Sequence, residues 1–150
     1  MAIRNALIEA TPEEVWSVLS DGYSYADWVV GTAAIRAVDE GWPEPGTSIH
    51  YSAGQGPLRV EDKTTSRLCR QPSCLELEAH MLPVGTLRVA IRVLPWGENV
   101  VVAIDEHPLR GPSLVVDNPL IDFSLTLRNR RLLRNLERVV KGRIAHTARL

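Results

Sequence analysis

Hydrophobic and polar residues alternate along most of this chain with the two-residue period of half-buried strands, interrupted by two helical stretches. Ile3 to Glu9 reads as a first strand. Thr11-Pro12-Glu13-Glu14 then supplies an N-cap, a first-turn proline and a capping-box glutamate, and Val15, Trp16, Val18 and Leu19 follow as an apolar face. Asp21-Gly22 ends that helix, and Tyr23 to Val30 predicts a second short helix or ordered turn. A strand over 32–39 follows, and five more are predicted over 46–53, 58–69, 74–82, 86–94 and 99–107. The turns between the last five are short, which forces antiparallel neighbours. Asn118-Pro119 opens a last helix reaching Gly142, roughly 35 Å long. Leu125, Leu132, Leu133, Leu136, Val139 and Val140 form its apolar stripe, and Arg128, Arg130, Arg131, Arg134, Arg138 and Lys141 fill much of the remainder. Such a stripe must be buried, and a curved sheet is the only partner large enough.

Composition narrows the class without naming a function. The 150 residues suit one domain spanning 1–150, and 45% hydrophobic against 23% charged residues excludes intrinsic disorder. No apolar run approaches the roughly 20 residues of a membrane helix, and the start lacks the build of a secretory signal. With two cysteines and no disulfide framework, a cytoplasmic protein is expected. Charge is lopsided: residues 1–127 hold 17 acids and 9 bases, whereas 128–150 hold 8 bases and 1 acid. The basic helix therefore either docks on an acidic body or offers a surface to a partner. Nucleic acid is not expected, since no aromatic residues interleave with the arginines.

The order β-α-α-β6-α resembles the helix-grip fold of the START-like (SRPBCC) superfamily, and within it the polyketide cyclase/dehydrase branch. The resemblance rests on Ala10-Thr11-Pro12-Glu13-Glu14-Val15-Trp16, on Tyr25-Ala26-Asp27-Trp28 up to Gly31, on Glu106-His107-Pro108 and on Arg128-Asn129. It implies an α+β fold in which a curved antiparallel sheet of about seven strands wraps a long C-terminal helix. It also implies a cavity between sheet and helix, with Trp28 near its mouth as core anchor or ligand stacker.

Strand parity names the lining. A turn at 83–85 pairs Met81 with Leu87, His80 with Arg88, and Glu76 with Arg92. Leu75, Leu77, Ala79 and Met81 then share the inner face with Leu87, Val89, Ile91 and Val93. Continuing the register puts Ile49, Tyr51, Ala53, Leu58, Val60, Asp62, Thr64, Ser66 and Leu68 inside, with Val100, Val102, Ile104 and Glu106. Arg67, Glu76 and Arg92 form an outer charge row, and His50, His80 and His107 also face out. The candidate ligand-binding set is Trp28, Tyr51, Asp62, Thr64, Met81, Ile91, Val102, Glu106 and Phe123.

A mainly apolar face with a few polar groups suits a small hydrophobic or aromatic ligand. Glu106, Asp62 and Tyr51 are the candidate acid/base groups for a cyclase/dehydrase-like lyase. Asp62 and Glu106 are expected at one level of the sheet, three strands and roughly 14 Å apart before curvature. A buried Glu106 needs a donor, for which Tyr51 or a helix backbone group is expected, or has its pKa raised. The four histidines lack metal-ligand spacing, so no metal or cofactor is expected. Cys69 and Cys74 flank a turn, opposite one another, and are expected as thiols. Three functions stay open: ligand binding, polyketide cyclase/dehydrase-like catalysis, or protein interaction through the basic helix.

Overall fold

The computed structural model describes residues 2–54, 56–81, 85–110 and 119–148. Asn118, the turn around 82–84 and the side chains of Leu58, Met81, Phe123 and Leu125 lie outside the described residues.

The seven strands are β1 (Ala2–Ile8), β2 (Thr32–Val38), β3 (Ser48–Ala53), β4 (Val60–Arg70), β5 (Cys74–Met81), β6 (Gly85–Trp96) and β7 (Asn99–Arg110). They form one antiparallel sheet in the order β1-β7-β6-β5-β4-β3-β2, so the first two strands occupy opposite edges. Between those edges run α1 (Pro12–Leu19), a 3₁₀ turn at Gly22–Ser24 and α2 (Tyr25–Trp28). The predicted capping box is in place: Glu14 N donates to Thr11 Oγ1 at 3.1 Å, and Thr11 N donates to Glu14 Oε1 at 2.9 Å. The last helix, α3 (Pro119–Ala148), extends six residues past the expected stop at Gly142. That glycine is exposed, and the helix end is tied to the body through an Arg143–Asp21 ion pair and Arg143 Nη1 donating to Ser17 O at 3.3 Å.

Helix α3 packs against β1, β7, α1 and α2. Leu132, Leu133, Leu136 and Val140 are buried with Ile8, Val15, Leu19, Ile91, Val102 and Ile104, while Arg130, Arg131, Arg134, Arg138 and Lys141 are exposed. Close packing also fixes the 3₁₀ turn. A Cβ on Gly22 would stand 2.7 Å from a Val38 methyl, so only a glycine lets this turn and β2 approach this nearly. Tyr25, Trp28 and Trp42 cluster beside it. The Tyr25 hydroxyl and Trp42 Nε1 both donate to Leu19 O, at 2.8 and 3.4 Å.

The register departs from expectation in three places. First, β5 pairs with β6 as Met81–Gly85, His80–Thr86 and Glu78–Arg88, two residues away from the predicted pairing. A two-residue shift preserves which face each side chain takes, so the apolar set stays together. It changes the outer ion pairs: Glu76 sits opposite Ala90 and binds Arg88, which also lies 3.8 Å from Asp105. Second, the β4–β5 turn is one residue shorter than expected and closes on Arg70–Cys74. Cys69 therefore faces Leu75 rather than Cys74, and both cysteines are free thiols. Third, a shorter turn would invert β4, and a bulge between Ser66 and Leu68 absorbs the extra residue. Ser66 stays opposite Leu77, but Leu68 is turned out opposite Glu76 and Cys69 is turned in against the core. Arg67, the bulged residue, pairs with Glu78 at 2.9 Å instead of Glu76.

Candidate functional site

A cavity of about 320 Å³ lies between the concave face of the sheet, α2 and α3. Its walls are largely apolar, from Trp28, Val30 and Ile35 through Ile49, Leu77 and Val89 to Ile91, Ile104 and Leu132. Gly31, with φ of +96°, lets the chain turn from α2 into β2 along the cavity wall. Polar groups are gathered into two clusters.

The inner cluster is an ion pair between sheet and helix. Glu106 is 1% exposed, and its Oε1 accepts a hydrogen bond from Arg128 Nη1 at 2.6 Å. Arg128 Nε also donates to Val30 O at 3.4 Å, which ties α3 to the segment leaving α2. Burial pushes the Glu106 carboxyl above the usual carboxylate range, and the neighbouring guanidinium pulls part of the way back. Among the described residues Glu106 Oε2 is buried without a hydrogen-bond partner. The expected donors, Tyr51 or a helix backbone group, give way to Arg128.

The outer cluster sits where β4 and β5 separate. Their ladder ends at Thr64–Ala79, so Asp62 pairs with Tyr51 on β3 and has no β5 partner. The Tyr51 hydroxyl spans the gap and donates to His80 O at 2.9 Å. Asp62 Oδ1 accepts from Lys63 N at 2.8 Å and lies 3.9 Å from His80 Nδ1. His80 thus lines the cavity instead of facing out, because this end of β5 is free of its neighbour. Burial raises the Tyr51 phenol above its ordinary value.

Asp62 and Glu106 do not share a level of the sheet. Glu106 is level with Val89, Leu77 and Ser66, and Asp62 lies four residues farther along β4. Of the sequence-derived set, Trp28, Tyr51, Asp62, Thr64, Ile91 and Glu106 line the cavity. Val102 does not: it is fully buried in the core, two residues along β7 from Ile104, which takes the lining position. Met81 and Phe123 carry side chains outside the described residues. Ser66 is buried but spent on the fold, its Oγ donating to Pro43 O at 2.7 Å.

Arg128 was assigned to the polar side of α3. Its spacing held the contrary signal, since 128 precedes Leu132, Leu136 and Val140 at four-residue steps along the buried line. Among the described residues no group of three or more His, Cys, Asp and Glu is arranged to hold a metal, and no helix is long and apolar enough to cross a membrane.

An antiparallel sheet gripping a long terminal helix, with an apolar cavity between them, defines the helix-grip fold. The chain belongs to the polyketide cyclase/dehydrase and lipid transport family, which matches residues 4–141. Among solved structures it is similar to protein NE0264 from Nitrosomonas europaea, at 14% identity and TM-score 0.72 over 95% of each chain. It is also similar to a START superfamily protein from Mycobacterium smegmatis, at 14% identity and TM-score 0.70, covering 94% of this chain and 97% of that one. The di-domain ARO/CYC StfQ from the steffimycin biosynthetic pathway aligns at 11% identity and TM-score 0.72, over 95% of this chain and 51% of that one. At such identities the likeness establishes the fold alone. No curated protein matches the chain in sequence.

Proposed function

We propose that the chain binds a small hydrophobic or aromatic molecule, polyketide- or lipid-like, in the cavity between the sheet and α3. The observation that carries this reading is a largely apolar cavity of about 320 Å³ with the Glu106–Arg128 ion pair in its wall. Apolar burial supplies the affinity, at roughly 25 cal/mol per Å² removed from water, and the polar clusters fix orientation. Native mass spectrometry of the purified chain, followed by organic extraction, tests it. A bound mass that extracts from the native protein and is absent from Ala79→Trp, a variant that fills the cavity, is expected. Equal occupancy in both proteins would place the ligand elsewhere and end this reading.

A second reading is favoured by the outer cluster, where Asp62 and His80 approach to 3.9 Å at the cavity wall. Such a pair suits proton transfer during ring closure or dehydration of a bound polyketide. Glu106 is the other candidate base, and Tyr51 is less suited because its hydroxyl proton is already given to His80 O. Turnover of a linear poly-β-ketone by the intact protein, abolished by Asp62→Asn or Glu106→Gln at little cost in affinity, is the expected outcome. Undiminished turnover in both variants would leave the carboxylates without a catalytic role.

A further inference from the structure

We infer that the Glu106–Arg128 pair selects a ligand bearing a neutral hydroxyl of the phenol or enol class, and discriminates against a carboxylate of the same shape. The inference rests on the binding reading above and adds the chemical group that the inner end of the cavity takes.

Glu106 is nearly inaccessible to water, yet only one of its two carboxylate oxygens is engaged. Among the described residues its Oε2 is buried without a partner, and an unmet acceptor of this kind is costly. Among the described residues the Tyr51 hydroxyl is committed to His80 O and Trp28 Nε1 to Ser24 Oγ at 3.2 Å, and no side chain of the cavity wall donates to Oε2. A ligand in the cavity, whose wall Glu106 forms part of, can bring the missing donor.

Charge decides what kind of donor fits. Arg128 and Glu106 neutralise one another at 2.6 Å, so the pair offers no net charge to an incoming ion. A ligand carboxylate approaching Arg128 would meet the unpaired oxygen of Glu106 and be repelled. An ammonium group approaching Glu106 would meet the guanidinium. A neutral hydroxyl avoids both penalties and makes a charge-assisted O–H···O⁻ bond, which is shorter and stronger than a neutral one. Phenols and enols are better donors than aliphatic alcohols, and their planar carbon frames match the apolar walls. A carbonyl beside the hydroxyl would in turn accept from Arg128.

Equilibrium dialysis of the intact chain against 2-naphthol, 2-methoxynaphthalene and 2-naphthoate tests the inference, since the three share a frame and differ in the donor and the charge. We expect 2-naphthol to bind about 10- to 100-fold more tightly than either of the others, the factor for a hydrogen bond to a charged group. Glu106→Gln should reduce that preference severalfold and leave 2-methoxynaphthalene almost unaffected. Should Glu106→Gln not fold, the double variant Glu106→Met with Arg128→Met gives an apolar equivalent, and it should bind 2-methoxynaphthalene at least as well as 2-naphthol. Equal binding of all three probes to the native chain would overturn the selectivity and leave the cavity reading standing. Tightest binding of 2-naphthoate would overturn it by reversing the charge argument. Binding of none of them would defeat both.

Discussion

Two carboxylates on one concave face have been given opposite surroundings. Glu106 lies where β7, β6 and β5 are fully laddered and α3 covers the sheet, and it is 1% exposed with a cation beside it. Asp62 lies where β4 has parted from β5, its side chain 14% exposed, held by a neighbouring backbone N–H. The first is part of the structure that holds helix and sheet together. The second lies beyond the end of the β4–β5 ladder, against the partly exposed His80 ring. Both are carboxylates on the same face, and continuity of the ladder made the difference.

The sharpest way to break this comparison is to take the cation from Glu106. Arg128→Met strands a buried carboxylate and should cost about 3–5 kcal/mol in denaturant-measured stability. Adding Glu106→Leu to that variant should recover most of the loss, because a well-packed apolar pair avoids the desolvation of both ions. If the single variant melts like the native protein, the pair is solvated and the two carboxylates are equivalent after all.

Neutralising the carboxylates themselves gives the next effect. Glu106→Gln should cost about 1–3 kcal/mol, the range for disturbing a buried charged hydrogen bond. It should also flatten a pH dependence. Burial holds the Glu106 carboxyl above its ordinary value, so between those two values the folded protein binds more protons than the unfolded chain. Stability therefore falls as pH rises through that window, and unfolding of the native protein and of Glu106→Gln across pH 4–8 should show the slope only in the former. The smallest effect belongs to Asp62→Asn, which should change stability by less than about 0.5 kcal/mol. A loss comparable to that of Arg128→Met would mean the mouth is as closed as the inner end.

The same contrast separates what was legible in the sequence from what was not. Alternation and short turns were enough to place Glu106, Tyr51 and Thr64 on the concave face, because each depends only on parity within a regular ladder. The capping box at Thr11–Glu14 announced α1 for an equally local reason. Legibility failed where a ladder breaks. Nothing in Ser66-Arg67-Leu68 marks a bulge, which arises only because a shorter turn at 71–73 must be reconciled with the Ser66–Leu77 pairing. Likewise His80 joins the cavity because β4 and β5 part after Ala79, a consequence of curvature across several strands. Arg128 is illegible for another cause: it is a charged residue in phase with the apolar stripe of α3, and only the buried Glu106 facing it from β7 gives that position a partner.

The neighbourhood of β1 and β7 sets the order in which this protein can be completed during synthesis. Among the described residues Ala2 to Ile8 find their strand partners at Val100 to Glu106, so β1 leaves the ribosome long before the segment it pairs with. At 5–20 residues per second, about 5–20 s separate the two. Through that interval Ile3 and Leu7, still half exposed in the finished fold, stand on an unpaired strand beside an uncovered apolar face. The β3-to-β6 meander can assemble from local hairpins, whereas closing β1 onto β7 spans most of the chain and is the entropically slow step. The cavity is sealed last, because Arg128 emerges after Glu106 and the helix that carries it also covers β1.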